Sequence, residues 1–168
     1  RGYIMTQNIG QFLTNRARRD TNLEAIYEPA TGDRLSYREL NERSNQVAHS
    51  LKDLGVTKGD RVGLLLMNGK EFVETFFAVA KIGAVNVPLN WRLVADELEF
   101  ILHDAGATVL LFSEEFAEVA SELRSRGDKT QISDWVQVGG EATEGALDYD
   151  DWMGSSSASE PEAEGGDD

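Results

Sequence analysis

Arg61-Val62-Gly63-Leu64-Leu65-Leu66-Met67, then Glu71 to Lys81 bearing Phe72, Val73, Phe76, Phe77 and Ala80, then Ala84-Val85-Asn86-Val87 form the stretch whose reading decides the fold. The first run is apolar at most positions instead of every second, the pattern of a strand covered on both faces. The middle segment carries its apolar residues at helical spacing. A strand, a helix and a second strand predict a parallel pair, because strands that run the same way need a crossover and cannot be joined by a tight turn.

The pattern continues towards the carboxyl end. Asp96 to Ala105 places Leu98, Ile101, Leu102 and Ala105 at helical spacing before Gly106, and Thr108 to Phe112 is a β-branched and apolar strand. Ser113 is then positioned to cap a helix carrying Phe116, Val119, Ala120 and Leu123, with Glu114 and Glu115 at its start and Arg124 and Arg126 at its end, each sign where the helix dipole favours it. Strands alternating with helices predict an α/β fold with a mostly parallel sheet flanked by helices.

Upstream, Asn8 with Gln11 forms a candidate capping box before Ile9, Phe12, Leu13 and Ala17, predicting a short amphipathic helix whose other face is basic. Ala25 to Glu28 and Arg34 to Ser36 flank Pro29-Ala30-Thr31-Gly32-Asp33 and predict a hairpin. Ser36 with Glu39 is a second capping box, opening a helix marked by Leu40, Val47, Ala48, Leu51 and Leu54 and ended by Gly55. Arg1 to Ile4 look like leftover expression sequence ahead of a natural start at Met5. The expected organisation is therefore residues 1–4 as remnant, 5–138 as one α/β unit, and 139–168 as an acidic linker rich in Ser and Gly.

That last segment holds ten acidic residues and no Lys or Arg, so most of the net charge of −14 sits there. A chain this acidic is a poor partner for nucleic acid, whose phosphates must be met by Lys and Arg. No apolar run approaches the roughly 18 to 20 residues that span a bilayer, and a cytoplasmic address is the expectation. With no cysteine and two isolated histidines, thiolate or histidine metal sites and a cysteine nucleophile have no support.

The segment Gly63 to Lys70 resembles a phosphate-binding loop superficially. Five residues separate its glycines where four are needed, and Glu71 stands where Ser or Thr would bind magnesium. His49 lies beside an apolar helix face and His103 near a helix end. Without a G-x-S-x-G elbow, hydrolase chemistry has no support.

Two motifs carry a more specific signal. Leu35-Ser36-Tyr37-Arg38-Glu39-Leu40, followed in order by Ala80-Lys81-Ile82-Gly83-Ala84-Val85-Asn86-Val87-Pro88-Leu89-Asn90, resembles the first two core motifs of acyl-adenylate-forming (AMP-binding) enzymes. From Asn8 to about Phe116 the chain is similar to the amino-terminal part of fatty-acyl-CoA synthetases, in texture most like the mycobacterial-type long-chain fatty-acid–CoA ligases. The resemblance implies an incomplete amino-terminal domain of an enzyme that activates a carboxylic acid with ATP and magnesium and passes the acyl group to CoA. It also implies that the acidic linker would lead into a phosphate loop, a motif these 168 residues do not contain, so this polypeptide alone would hold no catalytic residue, no metal and no tightly bound cofactor.

Arg92 matches an arginine of the Asn-x-Arg-Leu pattern that some CoA ligases place on a CoA phosphate, a role suited to a guanidinium fork. The competing reading pairs it with Asp96 or Glu97. Trp91 beside it is a candidate for packing or for stacking on adenine. Arg16, Arg18 and Arg19 form a dense basic cluster; related ligases associate peripherally with membranes, which makes these arginines candidates for contact with anionic lipid. Expected partners are the remainder of the same enzyme and, through exposed strand edges, a second copy. The alternative function is a stand-alone, non-catalytic α/β module that binds a nucleotide or a protein.

Overall fold

The computed structural model describes residues 8–162. The expected remnant at residues 1–4 and residues 163–168 of the expected linker lie outside them. The predicted crossover is present and a hairpin precedes it, so numbering in chain order gives β1 (Glu24–Glu28), β2 (Asp33–Ser36), β3 (Arg61–Leu65) and β4 (Val85–Pro88), with α1 (Ile9–Arg19) and α2 (Tyr37–Asp53) before β3 and α3 (Lys70–Lys81) after it. Then follow α4 (Ala95–Ala105), β5 (Val109–Ser113), α5 (Ala117–Ser125), β6 (Asp134–Val138), β7 (Leu147–Asp148) and α6 (Tyr149–Gly154).

The hairpin β1-β2 stands apart as an antiparallel pair, and the other five strands form one sheet in the order β4-β3-β5-β6-β7, every neighbouring pair parallel. Both faces are covered. Val62, Leu64, Val109, Leu111 and Val136 point into one core with Val47 and Leu51 of α2, Ala78 and Val79 of α3, and Tyr149 and Met153 of α6. Leu65, Leu110, Phe112 and Trp135 point into the other with Leu98 and Leu102 of α4 and Leu123 of α5. This double coverage is why the strands lack polar alternation. Gly63 lets α4 approach the sheet, since a Cβ there would lie 2.9 Å from Leu110 and 3.0 Å from Leu102.

Local capping differs in two places from the sequence reading. Asn8 caps α1 by accepting from the Gly10 N–H at 2.8 Å, with no reciprocal bond from Gln11, and Ser113 makes no cap bond because its hydroxyl instead accepts from the Met67 N–H at 2.9 Å. The Ser36–Glu39 box forms as predicted. Along α1, Gly10, Leu13, Thr14 and Ala17 are buried while Ile9 and Phe12 are exposed, so the helix docks by a stripe rotated away from the expected apolar one.

The larger correction concerns the segment from Gly139. Expected as a solvated linker, it contributes β7 and α6 to the fold, with Tyr149 and Met153 buried. Asp148 caps α6 by accepting from the Asp151 N–H at 3.0 Å, so part of the acidity is structural. Beyond α6 the chain runs back along one stripe of α2. Ser50 donates to the Trp152 carbonyl, Gln46 to that of Ser156 and Asn45 to that of Ala158, and His49 Nε2 lies 2.8 Å from the Ser159 carbonyl. Side chains at spacings of about one and two helical turns thus satisfy the backbone of a segment whose composition resembles a linker.

Candidate functional site

In an open parallel sheet, the usual ligand crevice lies outside the carboxyl ends of the strands where the strand order reverses. Here consecutive connections run from β3 to one side and then, after β4, to the other, which places the reversal between β3 and β5. The loops leaving β3, β4 and β5 gather there. Those leaving β3 and β5 are tied together by the Met67–Ser113 bond.

The loop after β4 is shaped by its own residues. Leu89 N–H still donates to the Leu64 carbonyl, after which Asn90 Oδ1 accepts from the Arg92 N–H at 3.0 Å and the Asn90 carbonyl accepts from Leu93. This Asx turn throws Trp91 and Arg92 outward. Trp91, 56% exposed, stacks on Phe116 with ring centroids 6.5 Å apart, and the Arg92 guanidinium stands 5.2 Å over the indole. Phe116, Trp91 and Arg92 therefore form a stack that spans from the exit of β5 to the exit of β4.

The expected competitor for Arg92 is absent from this arrangement. Asp96 pairs with Arg126 at 2.8 Å, and Glu97 reaches back to the Val94 N–H at 3.0 Å. Arg126 also binds Glu99 and Glu122, and these three carboxylates hold its pKa above the ordinary value. Arg92 is exposed, and among the described residues no carboxylate pairs with it.

At the segment resembling a phosphate loop, the helix N-terminus that would receive a phosphate is already occupied. Glu28 Oε1 accepts from the Lys70 N–H at 2.6 Å, and the Lys70 ammonium binds Asp33 at 2.9 Å. The carboxylates of the hairpin take both the dipole and the lysine. Lys70 holds the Asp33 pKa below its ordinary range, helped by Thr31. His49 is bound to the segment over α2 and His103 is exposed, so the two do not meet.

Arg16 and Arg19 share one carboxylate, Asp20, each at 3.1 Å, and Arg16 also lies 5.0 Å over the Tyr37 ring. Arg18 is exposed. The sequence reading passed over Lys81. Its side chain is 2% exposed, yet its ammonium donates to Thr14 and Asn45 at 2.8 Å, to Asn41 at 2.7 Å and to Glu160 at 2.8 Å. Burial pulls the Lys81 pKa down, opposed by Glu160. A second buried group, Glu74, accepts from Arg43 at 2.8 Å and from the Tyr149 hydroxyl at 3.0 Å, and burial raises its pKa. A polar residue on a helix face that is otherwise apolar was the available signal for both. Among the described residues, no group of three or more His, Asp or Glu is placed to hold a metal ion, and no helix is long and apolar enough to cross a membrane.

Comparison with known proteins accords with this geometry. Residues 13–167 match the AMP-binding enzyme family. The chain is 40% identical over 164 residues to the long-chain-fatty-acid–CoA ligase FadD13 of Mycobacterium tuberculosis, covering 96% of this chain and 31% of the relative, and 40% identical over 120 residues to a feruloyl-CoA synthase of Amycolatopsis, covering 71% and 24%. It superposes on the crystal structure of the N-terminal domain of FACL13 from M. tuberculosis with a TM-score of 0.86 at 37% identity, covering 97% of this chain and 40% of that one. The chain thus spans about a third or less of the curated relatives it matches, and the similarity reaches past Phe116 into the acidic segment. On its fold and on a match that runs nearly end to end, the chain belongs to the AMP-binding enzyme family and corresponds to the amino-terminal part of its fatty-acid–CoA ligase relatives.

Proposed function

We propose that this chain is the amino-terminal part of an ATP-dependent fatty-acid–CoA ligase, which joins a carboxylate to AMP with release of pyrophosphate and then transfers the acyl group to the thiol of CoA. The observation that carries the reading is the 40% identity to a long-chain-fatty-acid–CoA ligase over 96% of the chain. ATP, magnesium and CoA are the cofactors of the complete enzyme, and no described residue is assigned to magnesium. Adenylation needs donors aimed at the phosphates. The segment resembling such a loop is filled by Glu28 and Asp33, which supports a chain that is inactive alone and completed by the rest of the enzyme.

Arg92 is the proposed contact for a CoA phosphate, with Trp91 as the platform that holds its guanidinium. The exposure of Ile9 and Phe12 beside Arg16, Arg18 and Arg19 supports peripheral contact with anionic membrane. Val85 and Leu147, exposed on the two outer strands of the sheet, support self-association of the isolated chain. The deciding experiment is ATP–pyrophosphate exchange with fatty acids. The isolated chain should show none and a full-length protein containing it should show robust exchange; exchange by the isolated chain would overturn the reading.

A further inference from the structure

α1 and α4 are both 11 residues long, about 16 Å, and each presents an aromatic ring to solvent: Phe12 is 58% exposed and Phe100 71%. Each ring has a charged group one helical turn away, and the two charges are opposite. Arg16 follows Phe12 by four residues, and Asp96 precedes Phe100 by four. The surroundings reinforce these signs. Arg16, Arg18 and Arg19 close α1 with one carboxylate, Asp20, bonded among them, whereas α4 carries Asp96, Glu97, Glu99 and Asp104 with Arg126 and Lys129 beside them. Asp96 stays 85% exposed despite its bond to Arg126. Next to Phe100 an open hollow of about 420 Å³ is lined by Leu93, Ile101, Asp96 and Glu97, with room for a second ring.

Complementary rings and charges on two faces of one molecule identify the partner. We propose that the α4 face binds the α1 face of a second copy of this chain, Phe12 entering the hollow beside Phe100 and Arg16 meeting Asp96 and Glu97. The two helices run antiparallel in this contact. That direction matches both four-residue spacings at once and sets the basic carboxyl end of α1 beside the acidic amino end of α4, as the helix dipoles favour. Pairing α4 with α4, or α1 with α1, would bring like charges together. The contact is therefore heterologous: each copy keeps one face free, and the assembly extends head to tail. Two short helices bury less than the roughly 1,200 Å² of a stable complex, so the association is weak and sensitive to salt. The inference stands on these two faces and does not rest on the ligase reading. It uses the α1 face assigned above to anionic lipid, and the two occupants exclude each other.

The test follows the 168-residue chain by analytical ultracentrifugation across a concentration series at low and at high salt. At low salt the average mass is expected to rise with concentration past that of a dimer, and at high salt to fall back. Two variants each remove one face: Phe12→Ser with Arg16→Gln on α1, and Phe100→Ser with Asp96→Asn on α4. Either alone should weaken association at least about tenfold, the scale of a lost aromatic anchor and charge pair. Mixed in equal amounts, they should form a one-to-one dimer that grows no further, because each supplies the face the other lacks. If the α1 variant fails to fold by circular dichroism, the single substitution Phe100→Ser, at an exposed position, decides by the same loss. A wild type that stays monomeric, or a mixture of folded variants that does, overturns the proposal. So does unchanged association in either variant, which would leave the outer strands β4 and β7 as the contact.

Discussion

Lys81 Nζ and Glu160 Oε2 lie 2.8 Å apart across 79 residues of chain, and their bond pins the segment after α6 to the junction of α1, α2 and α3. Thr14, Asn41 and Asn45 supply the remaining acceptors of the ammonium, so four separate segments meet at one buried charge. At this junction α1 comes so close that a Cβ on Gly10 would lie 2.8 Å from the Lys81 backbone.

Glu160→Ala should therefore lower the free energy of unfolding by about 1–3 kcal/mol, the cost of under-satisfying a buried polar group; it falls short of the full buried-pair value because Glu160 is 36% exposed and water replaces part of what is lost. Lys81→Met, which removes the buried charge with its partner's obligation, should cost less than Lys81→Ala. Burial pushes the Glu160 carboxyl up, but the bonds from Lys81 and Asn41 outweigh it and hold its pKa below the ordinary 4.5. A carboxyl with a depressed folded pKa stabilises the protein above its unfolded pKa, and that stabilisation is lost as the pH falls through the folded value. Urea denaturation should show the gap between wild type and Glu160→Ala full at neutral pH and closing below pH 4.5; a pH-independent gap would rule out the charge as its source.

Ending the chain at Gly139 should destabilise it severely. The truncation removes Tyr149 and Met153 from the core, about 1.5–3 kcal/mol each from burial, and strips Glu74 of one of its two partners. The milder Tyr149→Phe should cost about 1–3 kcal/mol by removing the hydroxyl donor from the buried Glu74 carboxylate. Thermal unfolding followed by circular dichroism distinguishes these outcomes, and a truncated chain as stable as the full one would restore the linker reading.

Arg92→Ala in a complete ligase should raise the KM for CoA by about tenfold to hundredfold, equivalent to about 1.5–3 kcal/mol for a charge-assisted bond, with the adenylation half-reaction nearly unchanged. Lys at this position should recover part of the affinity, because an ammonium lacks the planar fork and stacks less well on Trp91. Loss of stability with unaltered CoA kinetics would instead make Arg92 a packing residue of the Trp91–Phe116 stack.

Replacing Arg16, Arg18 and Arg19 together by Glu should weaken sedimentation of the chain with anionic vesicles at low salt and change little at high salt, where the attraction is screened. Neutral vesicles serve as the reference. Equal binding of variant and wild type to anionic vesicles would end the membrane assignment.

What the sequence by itself determined is whatever rests on neighbours in the chain. The crossover β3-α3-β4 follows from apolar spacing within each segment, the start of α2 from Ser36 and Glu39 three residues apart, and the family from two contiguous motifs. What the tertiary structure decided depends on partners distant in sequence. The competitor for Arg92 is removed because Arg126, thirty-four positions away, takes Asp96. The stretch resembling a phosphate loop is filled by Glu28 and Asp33 of a hairpin that precedes it by about forty residues. β6, β7 and α6 went unread because Trp135, Val136, Tyr149 and Met153 sit among Asp, Gln and Gly whose polarity is satisfied by other parts of the fold, through α2 side chains, Glu74 and the cap at Asp148. Composition registers the polarity of such residues; their partners exist only once the chain has folded.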